Sequence, residues 1–565
     1  MKPSVWAPYA DHVDVVVGDK RVGMSRQEKG WWHADVELLP GDSYAFSLDQ
    51  GTPLPDPRSR FQPDGVHGPS RVIELSSDSD GAWSGFDLKT AVIYEMHVGT
   101  FTRDGTFEGA IKRLDHLVDL GVDALEVMPV NQFSGRHGWG YDGVDLFAVH
   151  DTYGGPEGFR RFIEACHDRG VGVLLDVVYN HLGPVGNYLG SFGPYFTDAY
   201  QTPWGDAINL DGPGSDEVRR FFIDNACMWL RDYGVDGLRL DAVHAFVDRS
   251  AVHFLEELAN EVNALERRLG RRLWLIAESD LNDPRLLWSR AEGGYELDAA
   301  WSDDFHHSLH VALTGEQAGY YQDFDTLGDL ATALRSVYVY AGRYSPSRDR
   351  RHGRPVTGLA GDRFIGYAQN HDQVGNRARG ERIGHLVDQP HLYVAAALVM
   401  TAPFVPMLFQ GEEWGASSPF LYFSDHEDPE IGEAVRRGRR DEFAAFGWEP
   451  EQIPDPQDRS TYAASMLRWE ETDASPSRDL LRWYRLLIQL RHDTPDLNGG
   501  RLDEIEVVSD DEDRTLVMRR GSFVLAANLS DADRDLDLPG HPIQLGPASV
   551  ALLELISFPG TLSAR

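Results

Sequence analysis

From residue 91 to residue 409 the chain alternates short apolar runs with longer amphipathic stretches, and that repeat sets the first expectation. AVIYEMHV (91–98) opens it as a strand. A helix is predicted over about 106–120, with Phe107, Ile111, Leu114 and Leu117 on one face, Thr106 as N-cap and Gly121 as its stop. A strand from Ala124 to Met128 follows. The next helix has Pro156 near its start, Phe159, Phe162, Ile163 and Cys166 as its stripe, and Gly170 at its C-cap. VGVLLDVV (171–178) is apolar enough for a strand covered on both faces. Helices over about 216–233 and 250–269 precede the apolar runs VDGLRLD and RLWLIAE. Strands at Asp298–Ser302, Phe364–Gln369 and Val405–Phe409 bring the count to eight. Eight such units suit a closed (β/α)8 TIM barrel better than an open sheet.

Both flanks have a different texture. Val13, Val15 and Val17, then Tyr44, Phe46 and Leu48, recur every second residue, the period of a half-buried strand. TPLPDPRSRFQPDGVHGPS (52–70) carries five prolines that break any regular element. Residues 1–88 therefore read as an N-terminal β-sandwich. TLVMR (515–519) and SFVLAANL (522–529) are joined at Arg520–Gly521 as a hairpin, and the run from Val550 to Ile556 reads as a closing strand. Residues 496–565 are thus expected to form an antiparallel β domain, with the barrel over 89–495. Two connections are oversized, 179–214 after the third strand and 410–428 after the eighth. Both leave the carboxyl end of a strand, where barrel active sites are built.

Charge narrows the partners. The 565 residues carry 53 basic and 90 acidic side chains, a net charge of −37. Such a chain is poorly suited to a nucleic-acid backbone or an anionic membrane, and its densest basic stretch, Arg436–Arg440, reads as a helix surface. The two cysteines, Cys166 and Cys227, fall in apolar helix stripes and form no disulfide framework. The opening MKPSVWAPYADHVDVVV lacks the pattern of a secretory signal. Leu392–Phe409 is nearly all apolar, but Pro403 and Pro406 interrupt it, so a buried helix followed by a buried strand is expected. A cytoplasmic location is the expectation.

Candidate chemistry lies at the strand ends. Asp241 ends the fourth strand, Glu278 the fifth, and Asp372 follows the seventh. Residues far apart in sequence thereby share one rim of the barrel. Arg239 lies two positions before Asp241 on the same side of the strand and can hold a carboxylate ionised. Glu278 follows a strongly apolar strand with no adjacent arginine, which suits a protonated acid. A retaining glycosidase needs that division of labour. A single acid at a strand end is more often a cap or a loop ion pair; three on one rim, with Asp176, His181 and His371 beside them, are not. Zinc held by His181, His371, Asp176 and Asp372 is the competing reading, but the short His/Cys spacing of zinc sites is missing. Trp139, Tyr141, Tyr179, Tyr188, Tyr195, Phe196 and Trp204 crowd the loops after strands two and three, rings of the kind that bind the apolar faces of sugars.

DVVYNH (176–181), GLRLDAVHA (237–245), Glu278 in LIAES and QNHDQ (369–373) resemble the four signature regions of the α-amylase superfamily, glycoside hydrolase family 13. The resemblance implies Asp241 as nucleophile, Glu278 as general acid/base and Asp372 as transition-state stabiliser. It places Arg239, His181 and His371 around the sugar, Tyr141 of WGYDG beneath it, and Asp176 as a buried support. Trp139, Asp142 and His244, beside these motifs, join the expected substrate-binding set. Asn180 matches a position that binds calcium in many amylases, but the rest of that cage is not recognisable, so no metal and no cofactor are expected. WAPYADHVDVVV and 54–70 resemble the N-terminal sandwich of branching, debranching and trehalose-releasing members, and 141–170, 200–222 and 406–440 resemble the trehalose-releasing ones in particular. The implied substrate is a neutral α-glucan with a trehalose terminus, cleaved at the α-1,4 bond next to it. A branching or debranching enzyme is the alternative, and a catalytically dead glucan-binding module the reading from another class; no key carboxylate is missing for the latter. Recognition of the 1,1-linked end is expected in the loop after strand eight, from Glu412, Glu413, Trp414, Phe420 and Tyr422, with Trp414 and Phe423 as ring platforms.

Overall fold

The computed structural model describes residues 1–75, 83–444, 449, 452–538 and 541–554. Its centre is a closed barrel of eight parallel strands: β1 (Ile93–Met96), β2 (Ala124–Val127), β3 (Gly172–Val177), β4 (Gly237–Leu240), β5 (Trp274–Ala277), β6 (Ala299–Trp301), β7 (Phe364–Gly366) and β8 (Val405–Phe409). They pair in sequence order, and β8 closes on β1 through Met407 opposite Ile93. All eight expected strands are present.

The two-residue period of a strand sorts the barrel interior into layers. Ile93, Leu174, Trp274, Ile276, Ala299, Ile365, Val405 and Met407 pack into one apolar cluster at its floor. One step further along the same faces come Glu95, Asp176, Arg239 and Glu278, so the interior turns from hydrocarbon to charge at the carboxyl ends. Gly237 makes the floor possible. A Cβ there would lie 2.6 Å from the Trp274 carbonyl oxygen and 2.7 Å from Leu174, so any side chain would push the neighbouring strand backbone and Leu174 out of place.

The helices show where local signals suffice and where packing overrides them. Thr106 caps its helix by accepting from the Gly109 N–H at 3.1 Å, and Gly121 ends it with φ 96°. Between these ends the helix breaks into Phe107–Ile111 and Leu114–Leu120. The helix predicted from 250 begins at Phe254 instead. Asp248 accepts from the Phe254 N–H and Arg219 donates to the Val252 carbonyl, which holds 248–252 as a bent, non-helical lead-in and leaves Val252 exposed. Gln389–Thr401 is the expected buried helix before β8. Among the described residues no helix is long and apolar enough to cross a membrane. Arg436–Arg440 lies on the helix Pro429–Ala444.

Small antiparallel sheets flank the barrel at both chain ends. At the N-terminal side a three-stranded sheet pairs Trp31–His33 with Ser4–Trp6 and Ser25–Arg26, and a four-stranded one is built on Val13–Val17 and Ser43–Leu48. They reach the barrel through Trp6 against Tyr195 and through Arg58, which pairs with Asp224 at 2.9 Å. At the other end Ile505–Asp510, Thr515–Arg520, Phe523–Asn528 and Ser549–Glu554 form a sheet, with the hairpin turning at Gly521. Leu555 and Ile556 of the expected closing strand lie outside the described residues. Buried Arg520 ties this sheet to the barrel by donating to the carbonyls of Thr401 and Ala402.

Besides the hairpin of Asn131–Gln132 with Asp145–Val149 after β2, three excursions leave the carboxyl rim. Residues 179–214 fold into a short helix and a hairpin of Phe196–Thr202 with Gly205–Ile208. The loop after β8 is the second. The third, between β6 and β7, is one the sequence reading left unassigned: helices Asp303–Thr314 and Leu327–Ser336, then a hairpin of Ala341–Ser345 with Arg350–Gly353.

Candidate active site

Arg239 is the centre of the rim. Its guanidinium is fully buried, lies over the Trp301 ring with Cζ 4.3 Å from the centroid, and reaches three carboxylates. Nη1 donates to Asp241 Oδ1 at 2.7 Å and to both oxygens of Asp176 at 2.9 Å, and Nη2 lies 3.8 Å from Glu278 Oε2. β3 and β4 pair with Asp176 opposite Arg239, and β4 and β5 with Leu240 opposite Ala277, so Asp241 and Glu278 leave the barrel as neighbours.

The two carboxyls are held in different states. Burial alone would raise Asp241, but the Arg239 charge, His181 and hydrogen bonds from Asn180 and Arg239 outweigh it and hold its carboxyl below the usual range. Asn180 Nδ2 donates to Asp241 Oδ2 at 2.7 Å. Glu278 is pushed well above the usual range by burial first, then by the charges of Asp241, Asp303 and Asp372, with Arg239 too distant to compensate. Its Oε2 accepts from the Ala242 N–H, and Ala242 sits at φ 39°, a left-handed backbone adopted between nucleophile and acid. One ionised and one protonated carboxyl, flanking a single guanidinium, can act as nucleophile and proton donor.

The remaining motif residues converge here. Asn370 caps the helix His371–Gly375 by accepting from the N–H groups of Asp372 and Gln373. Asp372 is the open carboxylate of the three, with 42% of its side chain exposed and Oδ1 3.6 Å from His371 Nε2. Tyr141 stacks on His371 with ring centroids 5.1 Å apart, and its hydroxyl lies 2.8 Å from His371 Nε2 and 2.5 Å from Asp176 Oδ2. His181 stacks on Trp204 at 4.6 Å. His244 is exposed, 4.0 Å from Asp280. Asp142 Oδ2 lies 3.7 Å from His426, and Tyr422 meets the edge of Trp139. Trp139 itself is nearly buried, its indole donating to the Leu421 carbonyl. The two ring nitrogens of His371 are committed to Glu95 and Tyr141, which leaves no lone pair for zinc.

The expectations for Glu412, Glu413, Trp414, Phe420 and Phe423 in the loop after β8 are corrected. Trp414 is 1% exposed and packs against Trp469 and His116, away from any space a sugar could enter. Glu412 is 4% exposed and accepts from the Tyr484 hydroxyl at 2.9 Å, and burial pushes its carboxyl up to about 7. Glu413 is fully buried between Tyr94 and His116, and Phe420 and Phe423 are core residues. The turn Gly411–Gly415, with both glycines at positive φ, folds these side chains inward rather than over the rim. Tyr179 and Tyr195, counted among the loop aromatics, are also buried.

Open space lies instead beside Asp372, on the Glu278 side. A cleft of about 440 Å³ is lined by Asp280, Asp303, Tyr320, Tyr340, Arg348 and Asp372. Arg348 arrives on the unassigned hairpin and pairs with Asp280 at 3.0 Å. Asp303 accepts from the Tyr367 hydroxyl at 2.5 Å, and burial pushes it up to about 7.

The alpha-amylase catalytic-domain family matches residues 74–192. A malto-oligosyltrehalose trehalohydrolase of Mycobacterium tuberculosis is 50% identical over 533 residues, 93% of this chain and 92% of its own length. One from Saccharolobus solfataricus is 46% identical over 86% of this chain and 84% of its own length. The chain belongs to the malto-oligosyltrehalose trehalohydrolase family. It is accordingly a glycoside hydrolase of family 13, acting on α-1,4-glucosidic bonds. A solved structure assigned as an alpha amylase from Salmonella typhimurium superposes with a TM-score of 0.91 at 38% identity, covering 98% of this chain and 97% of that one. A pullulanase from Paenibacillus barengoltzii, at 19% identity and a TM-score of 0.71, shares the fold.

Sequence reasoning missed Glu95, Asp303 and Arg348 in this trehalohydrolase-family chain. A signal existed for the first two. Glu95 is a lone acid inside an apolar strand, IYEM, where a charge needs a partner, and Asp303 directly follows the sixth strand. For Arg348 there was none, because the segment between β6 and β7 carries no motif.

Proposed function

We propose that this chain cleaves the α-1,4 bond joining a trehalose unit to a maltooligosaccharide, releasing free trehalose with retention at the anomeric carbon. The observation that carries the chemistry is the guanidinium of Arg239, which stabilises the charge on Asp241, while burial and the neighbouring acids keep Glu278 protonated against it. Asp241 Oδ attacks the anomeric carbon while Glu278 gives its proton to the glycosidic oxygen, so trehalose departs and a glycosyl–Asp241 ester remains. Glu278, now a carboxylate, takes a proton from water, whose oxygen attacks the same carbon and frees the maltooligosaccharide. Asp372 faces the open cleft and binds sugar hydroxyls as the oxocarbenium character develops. Arg239 turns its Nη2, which has no hydrogen-bond partner in the protein, toward Glu278.

The choice of trehalose rests on the identity to trehalohydrolases across more than nine-tenths of both chains. The cleft lined by Asp280, Asp303 and Asp372 supports this reading as a space of suitable chemistry. The leaving group lies on the side of the proton donor, so Asp280, Arg348, Tyr320 and Asp303 are the groups we assign to the 1,1-linked disaccharide, in place of Glu412 and Trp414. A polar, tyrosine-lined cleft suits a ligand recognised by hydroxyl hydrogen bonds and ring faces. The same reading puts the chain in the cytoplasm, where the buried thiols of Cys166 and Cys227 would stay reduced.

The test is incubation with maltooligosyltrehalose, wild type beside Glu278→Gln. Free trehalose and an α-configured maltooligosaccharide are expected from the parent, with turnover lost in the variant. No free trehalose from the parent overturns the specificity, and new α-1,6 linkages would move the chain to the branching reading. Unchanged turnover in the variant overturns the role of Glu278. The pH profile of kcat/KM should fall on the acid side as Asp241 gains a proton and on the alkaline side as Glu278 loses its own.

A further inference from the structure

The acids inside the barrel are more numerous than the reaction requires. Glu95 on β1 and Glu126 on β2 stand opposite each other in register, both 1% exposed, inside the closed barrel. Their surroundings differ. Both oxygens of Glu95 are taken by one residue: Oε1 lies 2.5 Å from His371 Nδ1, and Oε2 accepts from the His371 backbone N–H at 2.9 Å. Glu126 Oε2 has no partner, and burial first, then the Glu95 charge, pushes its carboxyl well above the usual range.

Proton bookkeeping around His371 is then closed. Asp176 accepts from Arg239 on both oxygens, and from the Tyr141 hydroxyl on Oδ2. The one proton of Tyr141 is therefore spent on Asp176, and its oxygen is left to accept from His371 Nε2–H. Nδ1 faces a carboxylate and donates as well. A ring that donates from both nitrogens is an imidazolium. We propose that Glu95 is a positioning residue that holds His371 as a doubly protonated ring, and through that ring sets the place of the Tyr141 platform and of Asp372.

Every charged or titratable group around the ring fits this reading. Glu95 and His97 face it from β1 and its end, Glu126 from β2, Tyr141 from the following loop, Asp176 from β3, Arg239 from β4, and Asp372 from its own helix. Burial pushes His97 down to about 3, so it adds no charge at neutral pH. Burial and Arg239 oppose protonation of His371; Glu95 and Asp372 outweigh them and lift it to about 9. Losing the Glu95 charge removes the larger of the two supports. His371 would then turn neutral at lower pH, one of its two donations would vanish, and Tyr141 and Asp372 would lose their common anchor.

The inference uses the retaining chemistry of the site and is independent of trehalose as leaving group. α-Maltosyl fluoride is therefore the substrate to use. Its leaving group needs no proton, so the alkaline limb of kcat/KM no longer reports Glu278 and is free to report His371. Glu95→Gln should lower kcat/KM on this fluoride by about 10–100-fold, the loss typical when a supporting hydrogen-bond partner is removed. Its alkaline limb should move down by about one pH unit or more. Glu126→Gln, which removes no partner, should stay within about two-fold of wild type, and Glu95→Asp, which keeps the charge, should keep the limb in place. Selective ¹⁵N-histidine spectra of the wild type, with His371 assigned by its absence in His371→Asn, should show a protonated ring at pH 7.5. An unprotonated His371 in the wild type overturns the proposal even if Glu95→Gln does not fold. An unmoved alkaline limb in Glu95→Gln, or equal damage from Glu126→Gln, overturns it too.

Discussion

Two pairs of acids lie beyond the carboxyl ends of the barrel strands, and only one of them stands beside an open carboxylate, Asp372. Asp241 and Glu278 follow β4 and β5; Glu412 and Glu413 follow β8. Asp241 and Glu278 come directly after buried apolar strands, Glu412 and Glu413 follow one after Gln410 and Gly411, and each pair has an aromatic beside it. The difference lies in what satisfies them. Glu412 and Glu413 are bonded by protein groups, Tyr484, Tyr94 and His116, with Trp414 sealed against Trp469. Asp241 and Glu278 share an arginine whose Nε and Nη2 have no hydrogen-bond partner in the protein, and Asp372 beside them is open to the cleft. Unpartnered donors also lie beside the sealed pair, on Arg382 and Trp414, so a buried acid becomes a site only where a group next to it, as Asp372 here, is open to a ligand.

The comparison can be broken from either side. Asp241→Asn should lower kcat/KM by about 10⁴-fold or more while thermal unfolding stays near wild type, since a nucleophile is removed and no packing changes; activity within tenfold of wild type would equate the two strand ends. Trp414→Ala should do the opposite, costing about 3–5 kcal/mol in denaturant unfolding and leaving the KM of the folded fraction unchanged. A raised KM would return Trp414 to the sugar.

Glu412 carries a pH signature of its own. Its folded value, about 7, lies above the ordinary 4.5, so the folded state holds the proton more tightly. Stability from this group is present at low pH and is lost as pH rises from about 4.5 through 7. Glu412→Gln should flatten that slope without touching kcat, which unfolding midpoints between pH 5 and 8 will check. His371 has the same sign at higher pH: raised to about 9, its contribution is full below its ordinary 6.5 and lost as pH climbs through 9. Arg348→Ala should weaken binding on the leaving-group side, raising KM for maltooligosyltrehalose about tenfold, the size of one charge-assisted hydrogen bond, with little change toward α-maltosyl fluoride. The smallest effect is expected at Thr106→Ala, about 1 kcal/mol in unfolding from the lost cap, with no kinetic change.

Legibility followed the range of the forces involved. Thr106 and Gly121 were readable because a cap is satisfied within three residues. The eight strands were readable because each is an apolar run bounded by turn signals. Val252 was misplaced because the helix start is set by Asp248 and Arg219, the latter thirty-odd residues away in sequence. Trp414 and Glu412 looked like rim residues because position after a strand does not say which way a turn folds. Glycines at both ends of 411–415 send it inward, and the partners waiting there, Trp469 and Tyr484, lie more than fifty residues downstream.

The sequence by itself determined the alternation that builds the barrel, the order of its strands, and the three carboxyls that end at one rim. It could do so because strand period and turn chemistry act over a few residues. Only the tertiary structure decided which acids are charged, which are sealed, and which wall of the cleft is open. Those outcomes depend on burial and on single ion pairs such as Arg239–Asp241 and Glu95–His371, and electrostatic energies in a low-dielectric interior are set by distances that only the closed barrel defines.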